Sequence, residues 1–168
     1  MKGVGFMSTA EISRALGKIT CPCGLVGVKQ GEKHDLTTVA WFTQESSNPP
    51  QVMVALHPNR YVLELLDAAG EFVLSILADD QEKIAVFCGS HSGRDVDKIK
   101  ELGLATVPSA VVTTPGVKDA LANLECKVSN RFQSGDHIII TGQVVAAQVN
   151  SDKKPLLYYE HNITHWGR

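Results

Sequence analysis

The sequence lacks most of the segments by which a protein class is recognised at first sight. It contains no G-x-G-x-x-G segment, no Walker loop and no G-x-S-x-G elbow, so the common fingerprints of nucleotide binding and of serine hydrolases are missing. The net charge of −2 gives no electrostatic reason to expect binding to nucleic acid or to an anionic membrane. No apolar run approaches the length of a membrane span.

The N-terminus also lacks the long apolar segment of a signal peptide, so we expect a cytoplasmic protein. Cys21 and Cys23 form C-x-C rather than the C-x-x-C of zinc and redox sites, and Cys88 and Cys126 stand alone. Buried, reduced thiols are the favoured interpretation in such a compartment. A metal or redox role of the C-x-C pair stays open.

The pattern of apolar residues and turn residues predicts one domain over residues 1–168, with many strands and a few short helices. We predict helices over residues 9–18, from Pro58 to Gly70, over 80–88 and over 95–102. We predict strands over 20–28, 35–43, 51–56, 71–77, 120–132, 135–149 and 156–159, with a short one between 107 and 112. This order excludes a helical bundle and a doubly wound parallel fold, and it favours a mainly β, antiparallel barrel with helices at its ends.

One stretch, residues 35–50, is unusually rich in hydroxyls for a core strand. It begins as a strand with Thr, Val, Trp and Phe, continues as a polar turn over residues 45–48, and stops at Pro49-Pro50. Such a segment can present backbone N–H groups and hydroxyls to a flat, polar ligand. Trp41 has two interpretations, a ligand contact or an ordinary core residue.

A second polar segment is predicted as an irregular loop over residues 89–94, rich in glycine and serine. Its backbone N–H groups could converge on an anion, with Arg94 or Lys98 adding charge. An ordinary loop between helices is the alternative. His161 and His165 follow the last predicted strand, where we expect a surface tail rather than a metal site, and we predict no bound metal.

Taken together, these segments resemble the flavin reductase-like family of FMN-binding split barrels. The family pattern N-x-x-T-x-S-W-F-T-x-x-S-x-D-P-P matches residues 35–50 in its spacing. The resemblance extends from about residue 16 to 159, and Trp41, Lys98 and His137 make it similar to flavoredoxin-type members. Its further segments are 59–61, 71–77, 87–90, 92–98, 124–128, 135–137 and 155–159.

The resemblance implies a homodimer of split barrels with FMN in a groove at the subunit interface. The backbone from Thr38 to Trp41 would meet the isoalloxazine edge, hydroxyls and a cation would hold the phosphate, and Lys98 and His137 would lie near the ring. The implied cofactor-binding residues are Asp35, Thr37, Thr38, Val39, Ala40, Trp41, Ser46, Ser47, Arg60, Ser90, Ser92, Lys98 and His137.

Three positions depart from the family pattern. Asp35 replaces an Asn, Ala40 replaces a Ser, and Val62 stands where a Thr is common. Ala40 and Val62 each remove a side-chain hydroxyl, so we expect the backbone to supply more of the flavin contacts. A carboxylate at Asp35 would oppose the effect of Lys98 on the flavin.

The function implied by the resemblance is a flavoprotein oxidoreductase in which FMN takes a hydride from NAD(P)H, or electrons from a protein donor. No residue need act as a nucleophile or general base, which agrees with the lack of any such constellation. One alternative is an electron-transfer protein that accepts electrons from a ferredoxin or rubredoxin partner. Another is a non-catalytic split barrel that binds a small ligand, haem or only a partner.

Overall fold

The computed structural model describes residues 8–167, and this part of the chain is mainly β. The helices are α1 (Thr9–Leu16), α2 (Tyr61–Ala69), α3 (Glu82–Ser90) and α4 (Lys98–Glu101). The strands are β1 (Cys21–Pro22), β2 (Gly24–Gln30), β3 (Lys33–Val39), β4 (Phe42–Ser47), β5 (Pro50–Leu56), β6 (Glu71–Ile76), β7 (Thr106–Val107), β8 (Gly116–Val117), β9 (Ala122–Ser134), β10 (His137–Val149), β11 (Leu156–Tyr159) and β12 (Asn162–His165).

The largest sheet has seven antiparallel strands in the order β3-β2-β6-β9-β10-β5-β4. The remaining strands of residues 8–167 form a small sheet, β1-β11-β12, and a two-stranded ladder, β7-β8. The predicted class, mainly β with short helices and antiparallel sheets, is confirmed. Within residues 8–167 no helix is both long and apolar enough to cross a bilayer.

The two edges of the seven-stranded sheet are joined by a very short link. β3 ends at Val39 and β4 begins at Phe42, so only Ala40 and Trp41 connect strands at opposite edges of the sheet. The Phe42 N–H donates to the Ala40 carbonyl at 3.1 Å, which makes a tight bend around Trp41. The sheet must therefore curl until its edges approach each other. We call this place the seam.

The apolar residues pack in two clusters. The first lies under α2 and includes Val26, Val54, Phe72 and Ile140, together with the apolar face of α2. The second includes Leu36, Leu77, Cys88 and Leu156, between α3 and the small sheet. Helix α2 begins after Arg60 and ends at Gly70, whose φ of 65° is the left-handed conformation that glycine adopts without strain. The predicted helix from Pro58 to Gly70 is therefore confirmed with a later start.

Several local predictions were wrong. The strand over 35–43 is broken at the seam, and residues 45–47 continue β4 rather than forming a turn, because β4 pairs with β5. Pro50 begins β5 instead of closing the unit. The predicted tail after Tyr159 is the strand β12, which returns along β11 through a turn with positive φ at Glu160 and His161. Residues 108–114 are a loop rather than a strand.

The loop over residues 108–114 is held by a buried carboxylate. Glu125 accepts the backbone N–H groups of Ala110, Val111 and Val112 at 2.8, 2.7 and 3.1 Å. Burial alone would raise the pKa of Glu125, but the three donors outweigh it and hold the pKa below the usual value of 4.5. The carboxylate thus replaces the ladder partners that this loop lacks.

We predict that Glu125→Gln lowers the free energy of unfolding at pH 7 by about 1–3 kcal/mol, because a neutral amide accepts these bonds more weakly. A carboxylate whose pKa is lowered in the folded state adds stability above its unfolded pKa and loses it as the pH falls through the folded pKa. Urea titrations should therefore show the two proteins converging as the pH falls below the usual carboxyl pKa of 4.5 and through the lower folded pKa of Glu125. Exposed Glu45→Gln is the control, and an equal loss there would contradict the assignment.

Candidate functional site

The seam brings together three aromatic side chains from separate elements. The indole of Trp41 is 50% exposed, and its ring centre lies 4.5 Å from the imidazole of His137 at the start of β10. The ring of His57, just after β5, meets His137 edge-on at 5.8 Å. The core interpretation of Trp41 is therefore wrong. The tryptophan forms an open platform beside two histidines.

The imidazole of His137 is oriented by its neighbour in the chain. Its Nδ1 lies 2.8 Å from Oδ1 of Asp136. This contact with His137 lowers the pKa of Asp136, whose carboxylate stays ionised and favours a proton on Nδ1. His57 and Asp136 were missed by the sequence reasoning. Their only sequence signal is position, since each sits at the end of a strand or in the turn before one.

The backbone of the link has two N–H groups that are available to a ligand. The carbonyl of Ala40 accepts the Phe42 N–H, and the carbonyl of Trp41 accepts the Ala55 N–H at 2.9 Å. Within residues 8–167, the hydrogen bonds provide no acceptor for the N–H groups of Ala40 and Trp41. Two adjacent donors beside an exposed indole can serve the acceptor edge of a flat heterocycle.

A cationic corner lies at the beginning of α2. Arg60 precedes the helix, and Nη1 of its guanidinium donates to the Gly89 carbonyl at 2.8 Å. The hydroxyl of Thr38 donates to the Ala85 carbonyl at 2.5 Å, and a Cβ placed on Gly89 would lie 3.4 Å from Thr38. The first turn of α2 has no side-chain cap. The helix dipole and the remaining guanidinium donors therefore favour an anion here.

The predicted irregular loop over residues 89–94 is wrong in its first half. Gly89 and Ser90 are the last residues of α3, and the hydroxyl of Ser90 donates to the Val86 carbonyl at 2.8 Å. The C-terminal end of a helix carries partial negative charge and disfavours an anion. Ser92 accepts the Arg94 N–H at 3.2 Å, and Arg94 is paired with Glu64. This loop offers no unengaged cation.

Ser46 and Ser47 lie away from Trp41. They are five and six residues beyond Trp41 along an extended strand, roughly 15–20 Å at about 3.3 Å per residue. Ser47 accepts a bond from the Gln44 side chain at 3.1 Å. Ser46 borders an apolar cavity of about 510 Å³. The cavity is lined by Pro22, Phe42, Thr43, Gln44, Ser46, Pro50, Gln51, Val52, Leu74, Ile76, Leu124 and Val144.

We call the seam and the cationic corner together the cleft. Four of the predicted site residues are buried away from its surface: Asp35, Thr37, Val39 and Lys98. Asp35 and Lys98 are each 3% exposed and form an ion pair at 2.8 Å. Val39 packs in the first apolar cluster, and the Thr37 hydroxyl is buried with no partner in the described part of the chain. The expected direct contact of Lys98 with a cofactor stays a prediction that this geometry does not favour.

Three of the four cysteines are buried and unreactive at neutral pH. Burial raises the pKa of Cys23 and of Cys126 to about 12 and that of Cys88 to about 11. All four thiols are free. No group of three or more potential metal ligands comes together within residues 8–167.

Comparisons with known proteins identify the family. The family described as flavin reductase like domain matches residues 16–167. The chain belongs to the flavin reductase-like family. The family predicted from the sequence is thereby confirmed, and so is the enzyme class, a flavin-dependent oxidoreductase.

Among the relatives, a protein of uncharacterised function from Pyrococcus abyssi is 34% identical over 73% of this chain and 70% of its own length. The NADH-dependent FMN reductase AsuE2 of Streptomyces nodosus subsp. asukaensis is 29% identical over 80% of this chain and 71% of its own length. A putative diflavin flavoprotein of Nostoc sp. is 31% identical over 93% of this chain, which spans only 27% of that protein.

The fold is shared with solved flavin reductases. The NADH:FAD oxidoreductase SgcE6 of Streptomyces globisporus superposes with a TM-score of 0.86 at 24% identity, over 100% of this chain and 99% of that chain. At this level of identity the likeness establishes the fold, so the assignment of chemistry depends on the site itself.

We predict that only Cys21 reacts readily with an aromatic disulfide reagent in the native protein at pH 7.5. It is the half-buried thiol, whereas burial keeps the other three protonated and inaccessible. Titration should give about one fast equivalent in buffer and all four in denaturant. The Cys21→Ser variant should lose the fast phase, and a fast phase that survives would show that another thiol is accessible.

Proposed function

We propose that this protein is an FMN-binding reductase that accepts a hydride from a nicotinamide nucleotide. The observation that carries the proposal is the cleft formed by the seam and the cationic corner. It combines two unused backbone donors, a half-exposed indole and, at the beginning of α2, an arginine with an uncapped helix N-terminus. These features fit the two chemically different ends of a flavin mononucleotide, a flat heterocycle and a phosphate.

The residues fit FMN at each end. Ala40 and Trp41 N–H groups would meet the acceptor edge of the ring, and the Trp41 indole would pack against its apolar part. Arg60 and the first turn of α2 would hold the phosphate. Ser92 and Ser90 are near this corner in sequence, but their hydroxyls are engaged internally. When bound, FMN supplies hydride transfer at its N5 position.

In this proposal, the residues of the chain orient the cofactor and set the charge around it. Asp136 holds a proton on Nδ1 of His137, and the His137 ring fixes the position of the Trp41 indole. The ring of His57 also contacts His137, edge-on. No nucleophile or general base is required.

A second copy of the chain would complete the groove in a homodimer of split barrels. His137, Ile139 and Phe132 share one face of the β9–β10 ladder, since Ile139 pairs with Phe132 and lies two residues beyond His137. Phe132 is 49% exposed and Trp41, against His137, is 50% exposed. An apolar face that borders the cleft is suited to burial against a partner subunit.

The chemistry can be tested with bound FMN. We predict that the purified protein binds FMN, and that anaerobic mixing with NADH bleaches the bound flavin. Trp41→Leu and Arg60→Gln should each weaken FMN binding by about tenfold or more, and Arg14→Gln, on exposed α1, should not. Failure of wild-type protein to bind FMN would overturn the proposal. Bound FMN that neither NADH nor NADPH reduces would favour a protein electron donor.

The assembly can be tested by light scattering after size exclusion. We predict that wild-type protein elutes as a dimer and that Phe132→Lys shifts it toward monomer, because a charge would be placed on the apolar face. Exposed Val149→Lys, at the far end of β10, is the matched control. A monomeric wild-type protein that binds FMN with full affinity would contradict the dimeric site.

A further inference from the structure

We propose that the buried ion pair of Asp35 and Lys98 positions the walls of the flavin cleft without contacting the flavin. The inference rests on the proposed FMN site, and it assigns a role to two residues that lie beneath that site. Both are positioning residues, because they act through the backbone of other residues.

The ammonium of Lys98 joins elements that are distant in sequence. Its Nζ lies 2.8 Å from Oδ1 of Asp35, 2.6 Å from the Leu36 carbonyl and 3.2 Å from the Cys88 carbonyl. An ammonium group has three donors, and here three acceptors surround it. Two belong to β3 and one to α3, while Lys98 itself begins α4. One charged group therefore holds three elements together.

These elements carry both walls of the cleft. From Asp35, β3 continues through Thr38 to the seam, and the last turn of α3 carries Gly89, whose carbonyl holds Arg60. The Thr38 hydroxyl donates to the Ala85 carbonyl at 2.5 Å. This bond fixes the distance between β3 and α3. A shift of β3 against α3 would move the ring donors relative to Arg60.

The surroundings give the carboxylate little room to move. Oδ1 of Asp35 also accepts the Leu36 N–H at 2.8 Å. A Cβ placed on Gly93 would lie 2.5 Å from Cγ of Asp35, so the loop before α4 packs directly on the carboxylate. The carboxylate is thus held in a tight backbone environment between the Leu36 N–H and the loop at Gly93.

The net charge of the pair distinguishes a positioning role from a direct electrostatic effect on the flavin. Together the two groups carry no net charge, whereas removing either one leaves the other buried and unpaired. If the pair positions the cleft, loss of either charge should harm FMN binding in the same direction. If Lys98 acts on the flavin by its charge, removing Lys98 and removing Asp35 should shift the flavin potential in opposite directions.

The test compares Asp35→Asn, Lys98→Met and the double variant. FMN affinity is measured by quenching of flavin fluorescence, and the midpoint potential of the bound flavin is measured by redox titration. We expect each single variant to bind FMN at least about tenfold more weakly and the double variant to regain part of this loss. The potentials should move together or stay unchanged. Opposite shifts, or unchanged affinity in both single variants, would overturn the proposal.

Gly93→Ala and Leu156→Ala complete the design. Gly93→Ala keeps both charges but displaces Asp35, and it should weaken FMN binding in the same direction. Leu156→Ala removes packing from the apolar cluster that contains Leu36 and Cys88, and at a comparable urea midpoint it should leave FMN affinity unchanged. An equal loss in Leu156→Ala would reduce the pair to a purely structural role. Failure of wild-type protein to bind FMN would instead overturn the proposed function itself.

Discussion

The link between β3 and β4 constrains the whole sheet. A seven-stranded sheet with consecutive strands at its two edges can exist only if it curls, because Ala40 and Trp41 span very little distance. The curl places the first apolar cluster inside and leaves the two N–H groups of the link without an acceptor in the described part of the chain. Backbone donors that are unpaired at a strand junction are costly in a buried place. Their presence at a partly open seam is therefore consistent with a ligand that completes their hydrogen bonds.

The same constraint determines which side chains can reach a ligand. Alternation along β3 directs Asp35, Thr37 and Val39 to one side of the strand and Leu36 and Thr38 to the other. Both sides are covered, one by the first cluster and one by α3. Side chains of β3 thus stabilise the walls of the cleft, and only the backbone after Val39 and the Trp41 ring remain open. This geometry agrees with the loss of a hydroxyl at Ala40, since backbone donors do not depend on the residue type.

The fold class and the family could be predicted from the sequence because they depend on features spread along the chain. The long strands β9 and β10, the apolar face of α2 and the spacing of residues 35–50 are all visible without a structure. The errors arose where pairing with another strand, rather than local composition, determines the secondary structure. Residues 45–47 have the composition of a turn, yet their partner β5 makes them a strand. The residues after Tyr159 look like a tail, yet β11 gives them a partner.

The site residues show why a matched position does not establish a contact. Lys98 and Asp35 are in the expected places, but burial and three acceptors direct the ammonium inward. Val62 illustrates the same point, because it is fully buried in the first cluster, where a methyl group packs and a hydroxyl would need a partner. Val62 thus removes a polar group that this chain would have to satisfy internally, whereas Asp35 adds a buried charge that Lys98 pairs. In the site that we propose, the groups left for the ligand are the backbone of the seam, one indole and one arginine, and we infer that the buried ion pair controls their position.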